Sequence, residues 1–297
     1  MQISTKQLQV FSKTAEQKTV SKAAEKLFMT QSAASMALSE LEKSLDQKLF
    51  ERQGRKLILN EQGIALLPKA NEIVGRLKEI EEMFSVDSAS HVSLKLGASS
   101  TIGNYFLPSL LGRFTEETMI RTPVLEIRNT QQILNSIENY ELDFGFVEGH
   151  EIRESVQFFP WRKDRLILIC SPRHELAQLE KITIEDLSRA DWIMREKGSG
   201  SRSVFEGAID GKLSNLNVVL ELGNTEAIKG AVSSGFGMSC VSLMSVKKML
   251  RNQELVALRA PFLNLHRDLY MVIHKKKYQS QVLRKAIEYW SRFSLST

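Results

Sequence analysis

The sequence predicts a small all-α head carrying a β-hairpin, joined through a long helix to an α/β body. Three observations predict it. Residues 21–45 read as two short helices around a tight turn, the second with Ala34, Leu38, Leu41 and Leu45 at spacings of four, three and four. From Asn60 to about Phe84 apolar residues recur at helical period with no loop signal between them. Beyond residue 91 short apolar runs alternate with helical segments almost to the end, the pattern of an α/β fold with a mostly parallel sheet.

Length and composition bound the function. The 297 residues suffice for a compact head plus a ligand-sized body. A hydrophobic content of 42% and a charged content of 25% are those of a globular protein and argue against disorder. The net charge of +5 agrees with an anionic partner. No charged start followed by an apolar run marks a signal peptide, and no apolar stretch approaches the roughly 20 residues needed to span a bilayer, so no membrane partner is expected. Cys170 and Cys240 lie in apolar runs without CxxC or metal spacing; they read as buried reduced thiols of a cytoplasmic protein, with a redox switch as the alternative. His91, His150, His174, His266 and His274 are scattered, with no HExxH and no nucleophile elbow. No catalytic residue, metal site or cofactor is therefore expected.

In chain order, Leu8, Phe11 and Ala15 give a first helix that can close a three-helix core. Ser21 reads as the N-cap of the second helix, with Ala23, Ala24 and Leu27 as its thin apolar face. Thr30 caps the third. At the start of that helix Gln31, Ser32 and Ser35 point away from the apolar stripe, and no carboxylate cluster blocks a phosphate, as suits a helix that reads DNA base edges. Leu49 and Phe50, the turn signal Gln53-Gly54 and the run Lys56-Leu57-Ile58-Leu59 predict a hairpin wing. Lys48, Arg52, Arg55 and Lys56 make that wing basic, placed to grip a sugar-phosphate backbone.

These residues resemble the winged helix-turn-helix of the LysR-type transcriptional regulators. The likeness is carried by Ser21, Ala23, Ala24, Leu27, Thr30-Gln31-Ser32-Ala33, Ser35, Leu41-Glu42, Leu45, Leu49-Phe50, Arg52, Arg55, Leu59 and Gly63. It implies contact with double-stranded promoter DNA by Thr30, Gln31, Ser32 and Ser35 of the reading helix and by Arg52 and Arg55 of the wing. Asp46 stands where the family usually has Gly, Asn60 where it has Thr, and Met36 where some relatives carry a basic residue. Asn60 can still cap the next helix. That helix has Ile64, Leu67, Ile73, Leu77, Ile80 and Phe84 as apolar positions and Pro68 near its start; a family-type dimer would cover the stripe. Residues 85–90 read as a hinge.

In the body, Val92, Leu94, Leu96 and Ala98 alternate as a strand that runs into Ser99-Ser100-Thr101 and then a helix carrying Leu107, Leu110, Leu111 and Phe114. Hydroxyls and free amides at such a turn suit an anion. Strands follow at 124–127, 142–147, 166–170, 192–193 and 218–222, with helices near 132–137, 184–187 and 204–209 between them. Gly198-Ser199-Gly200-Ser201-Arg202 joins a strand to a helix: glycines allow close approach, serines donate, and Arg202 offers a cationic fork, while the spacing is not that of a P-loop. Asn224-Thr225-Glu226 is a third such turn.

In LysR-type regulators these turns line the cleft of a two-lobed, periplasmic-binding-protein-like (type II) α/β effector domain, and this sequence is similar from about His91 to its end. The resemblance implies a winged helix-turn-helix at 1–62, a dimerising linker helix and hinge at 63–89, and an effector domain at 90–297, with lobe I at about 90–160 and 268–297 and lobe II at about 161–267. It implies effector contacts by Ser99, Ser100, Thr101, Ser199, Gly200, Ser201, Arg202 and Thr225. The glycine-serine loop is similar to that of sulfur-metabolism and carbon-fixation members, which sense small anions or phosphorylated metabolites. The implied protein is a cytoplasmic, nucleoid-associated, homotetrameric regulator whose DNA binding answers to a small anionic effector. An α/β enzyme or a solute-binding protein using the same cleft is the alternative, but the first lacks a recognisable catalytic motif and the second leaves the basic head and the missing export signal unexplained.

Overall fold

The structure, a computed structural model, describes residues 3–54, 56–83, 94–149, 151, 153–211 and 216–293. The chain divides into two units, Met1–His91 with Glu138–Glu141, and Val92–Ile137 with Leu142–Thr297.

The first unit opens with α1 (Thr5–Gln17), held by a reciprocal cap in which Gln7 N donates to Ser4 Oγ and Ser4 N to Gln7 Oε1. α2 (Val20–Lys26) and α3 (Gln31–Leu45) follow. Leu8, Val10 and Phe11 pack on Ala24, Ala34, Ala37, Leu38, Leu41 and Leu49 as one core. The expected cap of α2 at Ser21 is corrected: Thr19, in extended backbone, accepts from Lys22 N at 3.4 Å, and Ser21 is an exposed residue inside the helix. The chain turns at Lys18 (φ 60°), ahead of the point that the apolar pattern alone indicates. Thr30 does cap α3, its hydroxyl accepting from Ala33 N at 3.3 Å. Asp46 takes the left-handed position that ends α3 (φ 51°), with its N–H on Lys43 O and Gln47 N on Glu42 O, the bond pair of a Schellman cap. An Asp tolerates this geometry at a cost that Gly avoids.

The wing is an antiparallel pair, β1 (Phe50–Gln53) and β2 (Lys56–Leu59), with Gly54 at φ 61° in the turn. Arg55 lies outside the described residues. Asn60 begins α4 (Glu61–Met83) by accepting from Gly63 N at 2.9 Å while its Nδ2 donates to Lys48 O. Leu66, Leu67, Ala70 and Val74 of α4 pack on the core of the head, whereas Ile64, Ile73 and Ile80 are 62%, 46% and 53% exposed. Phe84 and the hinge at 85–90 lie outside the described residues.

The second unit starts with β3 (Lys95–Ser99), parallel to β4 (Val124–Arg128) and β5 (Phe144–Glu148). The single helix expected after Thr101 is two, α5 (Ser100–Tyr105) and α6 (Pro108–Thr118), because Pro108 has no N–H to continue the ladder and is accepted only in a first turn. α7 (Thr130–Glu138) crosses between β4 and β5. β6 (Val156–Cys170) is the 15-residue strand on which this unit is built. Residues 156–165 pair with β11 (His266–His274), and 166–170 pair with β9 (Ser239–Ser242) and β10 (Val256–Leu258). A second parallel pair, β7 (Asp191–Arg195) and β8 (Asn217–Leu222), joins β9 through Ile193 N to Met238 O and Ser239 Oγ to Ile193 O.

The connecting helices of that half are α8 (Ile184–Arg189), α9 (Gly200–Ile209), α10 (Thr225–Ser233) and α11 (Leu243–Arg251); α12 (Gln281–Ser291) returns to the first half. The sheets are mixed rather than mostly parallel, since β5, β6, β9, β10 and β11 pair antiparallel. Alternating strands and helices reveal parallel crossovers, but say nothing of two long strands returning against them.

Two lobes result, each with its own core. In the first, Phe114 stacks on Trp290 at 5.3 Å and Phe146 meets Trp161 at 4.4 Å between ring centroids. In the second, Trp192 and Phe205 lie 4.8 Å apart among Leu166, Leu168 and Met238. Among the described residues no helix is long and apolar enough to cross a membrane, and no cluster of three metal-ligating side chains occurs.

Candidate functional site

The first surface is the N-terminal end of α3. Thr30, Gln31 and Ser32 are exposed there with Ser35, and the Thr30 and Ser32 hydroxyls are 3.1 Å apart. The carboxylates of α3 are occupied elsewhere: Glu40 Oε2 accepts from Gln7 Nε2, and Glu42 accepts from Leu49 N at 2.9 Å and pairs with Lys48 at 2.7 Å. This leaves the first two turns of α3 neutral and furnished with donors. Arg52, on β1 opposite Leu57, is exposed. Lys48, read as part of the basic wing, is instead tied to Glu42.

The second site lies between the lobes and is built around two buried arginines. Arg267, on β11, is 5% exposed. Its Nε and Nη2 donate to Asp164 Oδ2 at 2.9 and 2.7 Å, Nη1 donates to Ser201 Oγ at 2.9 Å, and Nη2 reaches Thr101 Oγ1 at 3.3 Å. Asp164, on β6, also accepts from Ser242 Oγ at 2.9 Å. Glu148 at the end of β5 approaches Arg267 Nη2 at 3.9 Å and accepts from Thr130 Oγ1 at 2.9 Å. Burial raises the Glu148 pKa, but the Arg267 charge and the surrounding hydroxyls, Thr101 and Thr130 among them, outweigh it and hold the carboxyl below its ordinary value.

Arg195 ends β7 and is 4% exposed. It forms a fork on Glu196 (2.8 and 2.9 Å) and makes longer bonds to Thr225 Oγ1 (3.4 Å) and Ser100 Oγ (3.3 Å). Thus Ser100 and Thr101 from one lobe and Ser201 and Thr225 from the other converge on two cations. Ser99 Oγ is fully buried beside them, near the Glu148 carboxylate, whose pKa it helps to lower.

The glycines of the 198–202 loop are what let the lobes meet. Gly198 sits at φ 87°, its carbonyl accepts from Gln131 N at 3.1 Å, and a Cβ there would fall 2.5 Å from Gln131 Oε1. A Cβ on Gly200 would fall 2.7 Å from both Glu148 O and Thr130 Oγ1. Ser199, 2% exposed, uses its carbonyl to accept from Ser203 N and Oγ. Asn129 Nδ2 donates to Glu196 across the same seam, and on the opposite side Tyr105 OH donates to Glu226, which also pairs with Lys229 at 2.6 Å.

Arg202, expected at the effector site, is engaged by neighbouring carboxylates. Its guanidinium binds Glu206 at 2.7 Å, Glu221 at 2.6 Å and Arg195 O at 2.8 Å, so it fastens the loop to α9 and β8. The cations buried between the lobes are Arg195 and Arg267, and sequence reading singled out neither of them as a site residue, nor Asp164 and Glu148. The available signal was a charge inside an apolar strand run, as at Asp164 and Arg267, because a charge that folds into a core requires a partner.

A winged helix-turn-helix head and a two-lobed body with buried charges and hydroxyls between its lobes form the architecture of a DNA-binding regulator with an effector domain. A family model for bacterial regulatory helix-turn-helix proteins of the LysR family matches residues 5–64, and one for the LysR substrate binding domain matches residues 89–293. The chain is 34% identical over 289 residues to the uncharacterized HTH-type transcriptional regulator YeiE of Escherichia coli K12, covering 97% of each. A full-length OxyR variant of Pseudomonas aeruginosa superposes with a TM-score of 0.76 at 19% identity, over 99% of this chain and 95% of that one. The regulatory domain of Synechocystis CcmR, solved in complex with 2-PG, matches with a TM-score of 0.63 at 29% identity, over 69% of this chain and 98% of that one. The chain belongs to the LysR family of transcriptional regulators: it is a DNA-binding protein with an effector-binding domain, and not an enzyme.

Proposed function

We propose that the effector is a small anion or anionic metabolite, bound between the lobes by the hydroxyls of Ser99, Ser100, Thr101, Ser201 and Thr225, the loop at Ser199-Gly200, and the guanidinium groups of Arg195 and Arg267. The observation that carries this reading is the convergence of side chains from both lobes on Arg195 and Arg267. The Arg195 bonds to Thr225 and Ser100 are long for a charged donor, at 3.4 and 3.3 Å. An oxyanion exchanges such contacts for shorter, stronger, charge-assisted ones. CcmR, whose regulatory domain was solved with 2-PG, supports the same class of ligand.

The head, 1–62, binds operator DNA through Thr30, Gln31, Ser32, Ser35 and Arg52, with Arg55 outside the described residues. The linker, 63–89, dimerises the chain. The exposed Ile64, Ile73 and Ile80 support this, since a second copy would remove them from water. The effector domain, 90–297, with lobes at about 90–160 plus 268–297 and 161–267, pairs the dimers into a tetramer. Effector binding alters lobe closure, then tetramer geometry, then the two half-sites that the reading helices engage. The protein acts in the cytoplasm, on the nucleoid.

Thermal unfolding of the full-length chain against phosphate, sulfate and 2-PG tests the cleft. A true effector at a hundred times its Kd stabilises the native state by about 2.7 kcal/mol, a rise in midpoint of roughly 5 to 10 °C for a body of this size. Thr101→Leu removes the rise and keeps DNA affinity. A panel of anions that leaves the midpoint unchanged refutes an anionic effector, and simultaneous loss of DNA binding in Thr101→Leu refutes separate sites.

A further inference from the structure

The other apolar residues in the middle of α3, namely Ala34, Ala37, Leu38 and Leu41, are buried, but Met36 is 62% exposed. It follows Ser32 by one helical turn and adjoins Ser35, so it stands on the same exposed face as the residues proposed to read DNA. Residues 31–38 of that helix carry no charged side chain, and the carboxylate one turn beyond Met36, Glu40, is held by Gln7 Nε2. An apolar side chain held in water at the centre of a donor-rich face gains nothing for the isolated head. The major groove offers one apolar group on its base edges, the C5-methyl of thymine. The thioether chain is long and flexible enough to follow an uneven groove floor.

We propose that Met36 is a specificity-determining residue that reads a thymine methyl group in each half-site, between the bases contacted by the polar residues of α3. The inference rests on the DNA-binding role of α3 and deepens it. Its occupant is a duplex rather than a protein surface, since Met36 is continuous with Gln31, Ser32 and Ser35 and has no second large apolar residue of α3 exposed next to it.

The test uses full-length protein and a duplex that it selects from a random library, with each thymine replaced in turn by uracil, which differs only by the methyl. Wild type loses about fourfold in affinity at one thymine per half-site, the value of one buried methyl-sized group, about 0.8 kcal/mol, and about fifteenfold when both are replaced. Met36→Ala binds thymine and uracil duplexes equally and keeps the wild-type unfolding midpoint, because the side chain lies outside the core. Met36→Arg, when selection is repeated, moves the preferred base at that position to guanine. Uracil tolerated at every position by wild type, or discrimination surviving in Met36→Ala, overturns the proposal while leaving DNA binding in place. A change in oligomeric state in Met36→Ala with uracil discrimination unaltered also overturns it, in favour of a protein contact. Failure of wild type to select any duplex removes the DNA-binding role of α3 itself, and the proposal falls with it.

Discussion

Replacing Arg267 by Met deletes the cation paired with Asp164 and close to Glu148 while nearly conserving volume. The side chains of all three residues are 3% exposed or less, so water cannot take over the lost role. Asp164 would retain one donor, Ser242 Oγ, and Glu148 would retain hydroxyls alone, Thr130, Thr101 and Ser99. Breaking a buried pair by removing one partner costs about 3 to 5 kcal/mol, and for a body of some 200 residues each kcal/mol lowers the midpoint by roughly 2 to 4 °C. The expected loss is therefore about 6 to 20 °C at pH 7, read by circular dichroism or scanning fluorimetry.

The pH dependence carries the sign of the argument. In the wild type the depressed pKa of Glu148 contributes stability above the unfolded carboxylate pKa, and that stability is lost as pH falls through the lower folded value. Without Arg267 burial still raises the Glu148 pKa and only the hydroxyls still lower it, so the folded pKa rises from its wild-type position and the variant's deficit shrinks as pH falls. Arg267→Met combined with Asp164→Leu recovers the part of the loss that belongs to Asp164, since an apolar pair of similar volume is often neutral or better, and leaves the part that belongs to Glu148. A loss below about 2 °C in the single variant, or a deficit that widens as the medium is acidified, would refute the account of Arg267 as the charge that compensates both carboxylates.

Gly200→Ala places a methyl group 2.7 Å from Glu148 O and Thr130 Oγ1; it lowers stability by about 1 to 3 kcal/mol in denaturant titration, as overpacking does, and a neutral result would mean that the lobes part freely at this seam. Burial pushes the Cys170 thiol up to about 11 and the Cys240 thiol upward as well, so both stay protonated at neutral pH. Native protein then reacts with iodoacetamide only on the timescale of unfolding, and rapid labelling at either position would contradict this. Arg52→Ala weakens binding across sequences and reduces the salt slope by about one phosphate contact, whereas Gln31→Ala relaxes preference at particular base pairs. The reverse assignment, seen in a salt titration over several duplexes, would mean that β1 and α3 have exchanged roles.

Local chemistry was legible wherever one element set it. Thr30 caps α3 and Asn60 caps α4 because each hydroxyl or amide needs only the amide three residues ahead. The stripe at Ala34, Leu38 and Leu41 faces the core because its spacing permits one inward face. Ser21 looks like a cap and is none, because the apolar pattern shows where a helix packs while the turn that starts α2 depends on the backbone of Lys18 and Thr19. The polar turns of the body were visible one at a time, and nothing in their spacing said that residues 166 positions apart, Thr101 and Arg267, share a hydrogen bond.

The amino-acid order by itself determined the elements, the reading helix with its wing, and the three hydroxyl-bearing turns, since capping, periodicity and turn chemistry act over a few residues. Only the tertiary structure decided which cations those turns surround. β6 runs through both lobes with β11 paired alongside it, and this brings Asp164 to Arg267 and both to the cleft. Arg202, the cation nearest the glycine-serine turn in sequence, is claimed by Glu206 and Glu221 on neighbouring elements. Charge compensation acts through space, over a few ångströms in a medium of low dielectric, and the distance along the chain does not enter it.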